Sequence, residues 1–527
     1  MSFIQPSDRH QLILFSSLDD AIDPDHIVRI IDVLIDQIVG ADSDFFLDRG
    51  LSPEGRPAYH PSVFLKLYIY GALNGIGSSR KLERECYRNI ELMWLLGKLA
   101  PDFKTIADYR KDQGDQIEAV FLRVNLFLKS EGLIQGKISS LDGSKFRAYA
   151  AKSVNLQKLS DSLEKDKARL AQYLDTLAQA DLREDEAQDS DTPPSVPPFP
   201  PSSADHPGLG DELLFSAMVE CQERIEAASA ILETAQQAQN PQKRICTTDP
   251  DARIMKGRQG THWSYNIEAS VDAAHGLISD IEPCSDCHDR YQLLPNLYRL
   301  SHQMGIEPAV QLTDAGFGTL QQIIELEQGQ IEGLPSTTCF IPLAPTPQII
   351  RQEKAGIHFQ YDAQQDQYIC SEGKPLTLVQ KNKRDTKRGT LADQYQAQDC
   401  RKCPQKPQCS PGSKKARSIL RFDNQLQRDL YKQKMKTQMA EQMRRLRMRL
   451  SEHPFGTLKQ WMGHTPILVR GRQKVSVQIK IFATAFNLLR SQTICSTQKL
   501  IDRIQAFDWS ALKQTAHLNR AYYLMSN

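Results

Sequence analysis

Apolar positions along this chain keep a helical rhythm to about residue 130 and a strand rhythm from about residue 136. After Tyr59-His60-Pro61, the residues Val63, Leu65, Leu67, Ile69, Tyr70 and Leu73 run to a breaker, Asn74-Gly75-Ile76-Gly77, and Ser78-Ser79 then caps a second helix. Two helices joined by a short glycine turn give the outline of a helix-turn-helix, an outline that plain helical bundles share. Pro101-Asp102-Phe103-Lys104-Thr105 opens another helix, with Thr105 as N-cap and Asp108 three residues on. The pattern predicts a helical domain over residues 1–130, read either as a DNA-binding domain or as a plain helical bundle.

The strand rhythm begins with Lys137 to Leu141, and Ser264 to Val271 followed by Leu277 to Ile281 reads as a hairpin about Asp272-Ala273-Ala274-His275-Gly276. A helix fits Tyr291 to Met304, and Ala309 to Thr313 is the next strand. A strand reached through a helical crossover prefers parallel pairing, so it is expected beside the strand that leads to Asp142. This is an α/β pattern with a mixed sheet. Two insertions interrupt it. The first, residues 152–245, carries leucines at 156, 159, 163, 170, 174 and 177, then an acidic, proline-rich run over 191–201, then Leu214, Met218, Ile225 and Leu232. These positions predict an antiparallel helical hairpin with a disordered tip at about 183–210, its leucines serving helix packing. The second insertion, about 345–420, holds Cys370, Cys400, Cys403 and Cys409. Cys400-Arg401-Lys402-Cys403 is a CxxC knuckle, and with the other two cysteines it supplies the four soft ligands of a structural zinc site; the rival reading is a set of unmetallated thiols.

A chain of 527 residues is long enough for two or three structural units. Charged residues at 24% and apolar residues at 40% describe an ordinary soluble protein, and no apolar run approaches the ~20 residues of a membrane span. The start of the chain lacks the basic and apolar regions of a secretory signal, which leads to a cytoplasmic expectation and to thiols or metal ligands rather than disulfides. A net charge of +1 conceals an uneven distribution. Twelve Lys and Arg residues between Lys414 and Arg449 face only Asp423, Asp429 and Glu441, which fits either an anionic partner or a solvated helical face.

Three acidic residues carry the candidate chemistry. Asp142 ends Ile138-Ser139-Ser140-Leu141 and precedes Gly143; Asp314 ends Ala309-Val310-Gln311-Leu312-Thr313 and precedes Ala315-Gly316-Phe317-Gly318; Glu452 sits in Ser451-Glu452-His453-Pro454-Phe455-Gly456-Thr457-Leu458-Lys459. Carboxylates at the ends of neighbouring strands, with a third offered from a helix, form an oxygen-rich pocket for hard divalent cations and hence for phosphoryl transfer. Taken singly, Asp142 fits a turn, Asp314 a helix cap and Glu452 a solvated helix end close to the breaker Pro454. His262, His275, His288 and His453 have no repeated ligand spacing and are read as non-catalytic.

These strings, together with Tyr59-His60-Pro61, Gly75-Ile76-Gly77-Ser78-Ser79-Arg80, Pro101-Asp102-Phe103-Lys104-Thr105-Ile106, Leu141-Asp142-Gly143-Ser144-Lys145 and Leu312-Thr313-Asp314-Ala315-Gly316-Phe317, resemble bacterial insertion-sequence transposases of the DDE class. The resemblance takes in most of the chain, including the cysteine cluster and the segment Gly471 to Arg490. It implies an RNase H-like catalytic domain over 136–490, with the second insertion zinc-ribbon-like, and a C-terminal helical tail over 491–527. It also implies two Mg²⁺ or Mn²⁺ ions held by Asp142, Asp314 and Glu452, with Lys145, Arg147, Arg449 and Lys459 on the DNA backbone. The family's tyrosine, arginine, glutamate and lysine signature matches here only in Glu452 and Lys459. Met448 fills the arginine slot and Arg445 the tyrosine slot, leaving Arg447 or Arg449 to supply a guanidinium. The implied partners are double-stranded DNA, as terminal repeats and target, and a second copy of the chain on that DNA. A nuclease without strand transfer and a catalytically degenerate repressor are the rival functions.

Overall fold

The computed structural model describes residues 17–47, 57–150, 153–188, 211–237, 244–257, 260–287, 289–343, 347–384, 391–398, 400, 403–413, 415–463 and 466–512. The N-terminal part is helical: α1 (Ile27–Ala41), α2 (Ser43–Leu47), α3 (Pro61–Leu73), α4 (Ser79–Arg88), α5 (Ile90–Leu95), α6 (Phe103–Asp112) and α7 (Gly114–Ser130). Helix α3 is buried on nearly every side. Its one cation, Lys66, reaches Asp32 at 2.6 Å and Asp36 at 2.8 Å on α1, which removes the cost of a lone buried charge. The glycine turn after α3 leads into α4 as expected. Ser78 holds the N-cap position of α4 but makes no side-chain cap bond. The N-cap of α6 is Asp102, not Thr105. The Asp102 carboxylate accepts from the Lys104 and Thr105 N–H groups, both at 3.0 Å, and from the Thr105 hydroxyl, so the expected cap has become a donor to the real one.

Strand β1 (Ile138–Arg147) starts the sheet and is twice as long as the expected Lys137–Leu141. Asp142 therefore lies inside a strand and not at its end. The reason is a long antiparallel partner, whose register from Ser139↔Asp272 to Arg147↔Ser264 carries the pairing past Asp142. The first insertion follows: β2 (Ser153–Asn155), the long helices α8 (Leu156–Gln188) and α9 (Asp211–Gln237), and β3 (Arg244–Cys246), which pairs with β2. The two helices pack against one another; Leu163 is buried, whereas Leu174 is exposed. Residues 183–188, expected in the loose tip, are still helical, and 189–210 lie outside the described residues.

The sheet resumes with β4 (Arg253–Gly257), β5 (Gly260–Asp272) and β6 (Ile278–Cys284), then crosses through α10 (Leu293–Met304) to β7 (Val310–Thr313), and through α11 (Leu320–Glu327) to β8 (Thr338–Phe340). Its order is β4-β5-β1-β7-β8, with β6 also paired to β5. Strands β4, β5 and β6 pair antiparallel, while β1, β7 and β8 run parallel, as the helical crossovers require. Helix α12 (Pro347–Lys354) opens the second insertion, a separate five-stranded antiparallel sheet of β9 (Phe359–Asp362), β10 (Gln367–Cys370), β11 (Pro375–Arg384), β12 (Leu391–Ala397) and β13 (Ser418–Phe422), with the short α13 (Lys406–Cys409) before β13.

Helices α14 (Gln425–Lys434), α15 (Gln438–Met462), α16 (Arg472–Cys495) and α17 (Thr497–Ala506) complete the chain. Pro454, expected to end or bend its helix, lies inside α15. Helix α16 is buried from Val475 to Leu488 and packs against α3, α7 and β6. One apolar cluster thus runs from α1 through α3, α7 and α16 into the β5–β6 hairpin, so the N-terminal helices and the sheet share a core. Polar side chains stitch the same seam. Asn487 of α16 donates to the Asn125 side chain on α7 and to the Ile278 carbonyl, each at 2.8 Å, and accepts from the Ile278 N–H at 2.8 Å. Residue 491, the expected start of a tail, is still inside α16, and α17 and Trp509 fold back onto α1 and Phe127. Among the described residues no helix is long and apolar enough to cross a membrane.

Candidate active site

The parallel register pairs Leu141 with Thr313, which sets the next residues, Asp142 and Asp314, side by side at one edge of the β1–β7 pair. The two aspartates converge as their strand contexts implied. Successive side chains of β1 alternate between faces, and Asp142, Ser144 and Phe146 share the face covered by α15. A helical repeat of four residues along α15 brings one stripe onto that face. Arg447 Nη1 lies 3.3 Å from Asp142 Oδ2 and its Nη2 lies 3.8 Å from Asp314 Oδ1. Ser451, one turn on, is buried near the Asp142 carboxylate, and its hydroxyl donates to the Met448 carbonyl at 3.4 Å. Phe455 packs beside Phe146 in a tilted arrangement with 6.3 Å between ring centres, and Lys459 Nζ donates to Ser144 Oγ at 2.6 Å.

Burial pushes the Asp142 carboxyl above the usual aspartate range, and the neighbouring Asp314 charge adds to that; the Ser451 hydroxyl, Arg447 and the Gly143 N–H act the other way. Backbone N–H groups also orient both acids. Asp142 Oδ1 accepts from Gly143 at 2.8 Å, and Asp314 Oδ1 from Ala315 at 2.7 Å. Glu452 follows Ser451 on α15 and is exposed. Among the described residues no group of three or more His, Cys, Asp or Glu is arranged to hold a metal ion. Two of the three expected acids therefore meet, and the third sits one helical step away from them.

Of the four cations expected on the DNA backbone, only Lys459 reaches this face of the sheet. Lys145 and Arg147 alternate to the opposite face, and Arg449 is exposed on α15. On the opposite face Gly143 stands across from Glu268. A Cβ at position 143 would come within 3.1 Å of Asn266 Oδ1 and 3.3 Å of Asp289 Oδ1, so this position takes glycine for close approach, not for a turn. Asn266 Nδ2 donates to Glu268 at 3.2 Å and to Asp289 at 2.6 Å. Glu268 is fully buried, and its carboxyl is held well above the usual range by that burial. Sequence reading assigned no role to Glu268, Ser144 and Ser451; the one available signal was a glutamate inside the strand run Ile267 to Val271.

In the small sheet, the Cys409 thiol is pushed up by burial, opposed by Arg417 and reinforced by the neighbouring Cys400, Cys403 and Cys370. Cys400, Cys403 and Cys370 are thus each within electrostatic reach of Cys409. Many cations of the 414–449 stretch have internal partners: Arg428 bonds Asn424 and Gln321, Lys434 pairs with Glu327, and Arg444 and Arg445 share Glu441. A basic surface is found instead on α4, which exposes Arg80, Lys81 and Arg84 beside Tyr87, while its Arg88 is paired with Glu85. The turn before α4 rests against the end of α15, since a Cβ at Gly75 would meet the Trp461 carbonyl oxygen at 2.9 Å.

Residues 16–112 match the family described as a transposase domain (DUF772), and residues 369–491 match a transposase DDE domain. The first match holds α1 to α6. The second runs from β10 through Glu452 and Lys459 into α16, whereas Asp142 and Asp314 lie outside both. No curated protein and no solved structure matches the chain.

Proposed function

The chain belongs to the insertion-sequence transposases of the DDE class by both family matches, and from that premise we propose that it binds the terminal repeats of its element and cuts and rejoins DNA at their ends through Asp142, Asp314 and Glu452. The observation that carries this reading is the pairing of Asp142 and Asp314 on parallel strands under a helix that bears Glu452. An acid on a central strand, flanked by one antiparallel and one parallel neighbour, supports an RNase H-like reading of the six-stranded sheet.

Two adjacent carboxylates already bridged by a cation are a donor set that suits a hard divalent ion. Asp142 and Asp314 would hold it, and Glu452 would complete the set from α15. When bound, Mg²⁺ or Mn²⁺ supplies the Lewis acidity that activates a water or 3′-hydroxyl and steadies the leaving oxygen. The protein's own part is positional. Gly143 and Ala315 N–H groups fix the acids, and Lys459, tethered to Ser144, offers a cation to a backbone phosphate beside them. Arg449 faces solvent for the same use. Lys145 and Arg147, on the reverse face, would meet DNA that wraps the sheet. The exposed cations of α4 form the DNA-reading face of a helix-turn-helix with α3, and two copies on DNA would pair two ends. Cys370, Cys400, Cys403 and Cys409 are the soft ligand types that would hold one structural zinc ion once drawn together, with the small sheet as their zinc-ribbon-like frame.

The test is incubation with Mg²⁺ and labelled DNA that carries candidate terminal repeats. Strand joining is the expected result, with cutting alone pointing to a nuclease and retention alone to a repressor. Asp142→Asn should abolish cutting and leave DNA retention close to that of the parent. Equal loss of both would remove Asp142 from the catalytic set.

A further inference from the structure

The guanidinium between the two aspartates is held in an unusual way. Arginine commonly grips one carboxylate with two parallel bonds of about 2.7–2.9 Å. Arg447 instead spreads one nitrogen to each acid, at 3.3 and 3.8 Å, and its Nε is buried without a hydrogen-bond partner among the described residues. Meanwhile the Oδ1 atoms of both acids take their close bonds from the backbone. Arg447 is therefore held in place by the charge of the acids more than by fitted hydrogen bonds. Its side chain is 14% exposed and has little other business in that position.

We propose that Arg447 is the resident cation of the two-aspartate pocket, neutralising Asp142 and Asp314 until a divalent ion enters and then giving up its place. The inference rests on reading those two aspartates as metal ligands. The physical argument is one of exclusion. Two carboxylates set side by side by the β1–β7 register repel one another, and a cation between them relieves this. A divalent ion needs the same oxygens at about 2.0–2.6 Å. A guanidinium within 4 Å of both acids would then face like charge at contact distance, so the two cations cannot share the pocket. The arginine slot of the family signature is filled here by Met448, and Arg447, one helical step earlier, is turned directly onto the acids. Arg447 is thus a positioning residue that sets how readily the metal-free chain takes up its ion.

The experiment is a Mn²⁺ titration of the full-length chain without DNA, followed by the electron paramagnetic resonance signal of free Mn²⁺ at fixed ionic strength. Arg447→Gln, which keeps a polar side chain but shortens it and removes the charge, should tighten Mn²⁺ binding by about tenfold or more. Arg447→Lys, which keeps the charge but places it on a shorter, compact and strongly hydrated ammonium, should tighten it by less, and it carries the test if the glutamine variant does not fold. Binding that is unchanged or weaker in the folded variant overturns the proposal, because it would make Arg447 a bystander or a brace for the ion. Asp142→Asn separates the two readings. If it loses Mn²⁺ while the Arg447 variants do not gain it, only the resident-cation inference fails; if it binds Mn²⁺ like the parent, the assignment of the aspartates fails with it.

Discussion

Replacing Lys480 by methionine tests the seam between the N-terminal helices and the sheet. Lys480 Nζ on α16 lies 2.8 Å from Glu282 Oε1 on β6 and 3.1 Å from Glu118 Oε1 on α7, with only 9% of its side chain exposed. Ser476 Oγ joins the same pair, at 2.6 Å from Glu282 and 3.0 Å from Glu118. At an effective dielectric of about 20, each ionic contact is worth about 5 kcal/mol of attraction. Desolvation offsets most of that, so the pair adds little net stability, yet removing one partner leaves charge behind at a cost of about 3–5 kcal/mol. Glu118 is 24% exposed, and water reaching it brings the expected loss to the lower end, about 3 kcal/mol. Urea unfolding followed by tryptophan fluorescence measures it.

The pH dependence gives the sharper discrimination. Burial raises the Glu282 carboxyl, but the Lys480 and Arg299 charges outweigh it, and the net effect holds Glu282 below the usual glutamate range. A folded-state value below the unfolded one means stability that is present above the ordinary glutamate pKa and lost as pH falls through the lower folded value. Without Lys480 a main source of that depression is gone and burial counts for more, so charged Glu282 becomes a burden at neutral pH. The deficit of Lys480→Met should therefore shrink on acidification toward pH 5, and adding Glu282→Gln should restore more than half of it. A deficit below about 1 kcal/mol at pH 7, or one that stays constant with pH and is untouched by the second substitution, would refute the reasoning.

Gly75→Ala should lower the thermal midpoint, because a left-handed φ of +66° is costly for alanine by about 1–2 kcal/mol and its Cβ would press on the Trp461 carbonyl; an unchanged midpoint would show that the α3–α4 turn does not bear on α15. Cys403→Ser should reduce both bound zinc, measured by plasma emission, and the stability of the small sheet, whereas a parent chain purified without zinc ends that reading. Arg80→Ala with Arg84→Ala should weaken DNA retention and flatten its salt dependence by about one to two charges, and a slope identical to that of the parent would move the DNA surface away from α4.

Much of the site's framework was legible in the residues. The largely apolar run of α3, the β5–β6 hairpin and the parallel neighbour of β1 follow from local periodicity and from the handedness of crossovers, and the strands bring Asp142 beside Asp314. What local pattern could not give was the length of β1, since strand ends are set by the partner: β5 carries the pairing to Arg147 and leaves Asp142 in mid-strand. The cap of α6 was likewise decided by which oxygen reaches two free N–H groups at once, and Asp102 does so while Thr105 does not.

The sequence by itself determined the residue types and their order: two aspartates in strand contexts, a glutamate and lysine on one helix, and arginines crowded just before them. Only the tertiary structure decided which arginine faces the acids and which acids meet. Each residue turns a helix by about 100°, so Arg447, Ser451, Phe455 and Lys459 reach β1 while Arg449 and Glu452, a step or two away, face solvent. That phase is fixed by how Leu450, Pro454, Phe455 and Leu458 bury against the rest of the molecule, and so by contacts hundreds of residues apart in the chain.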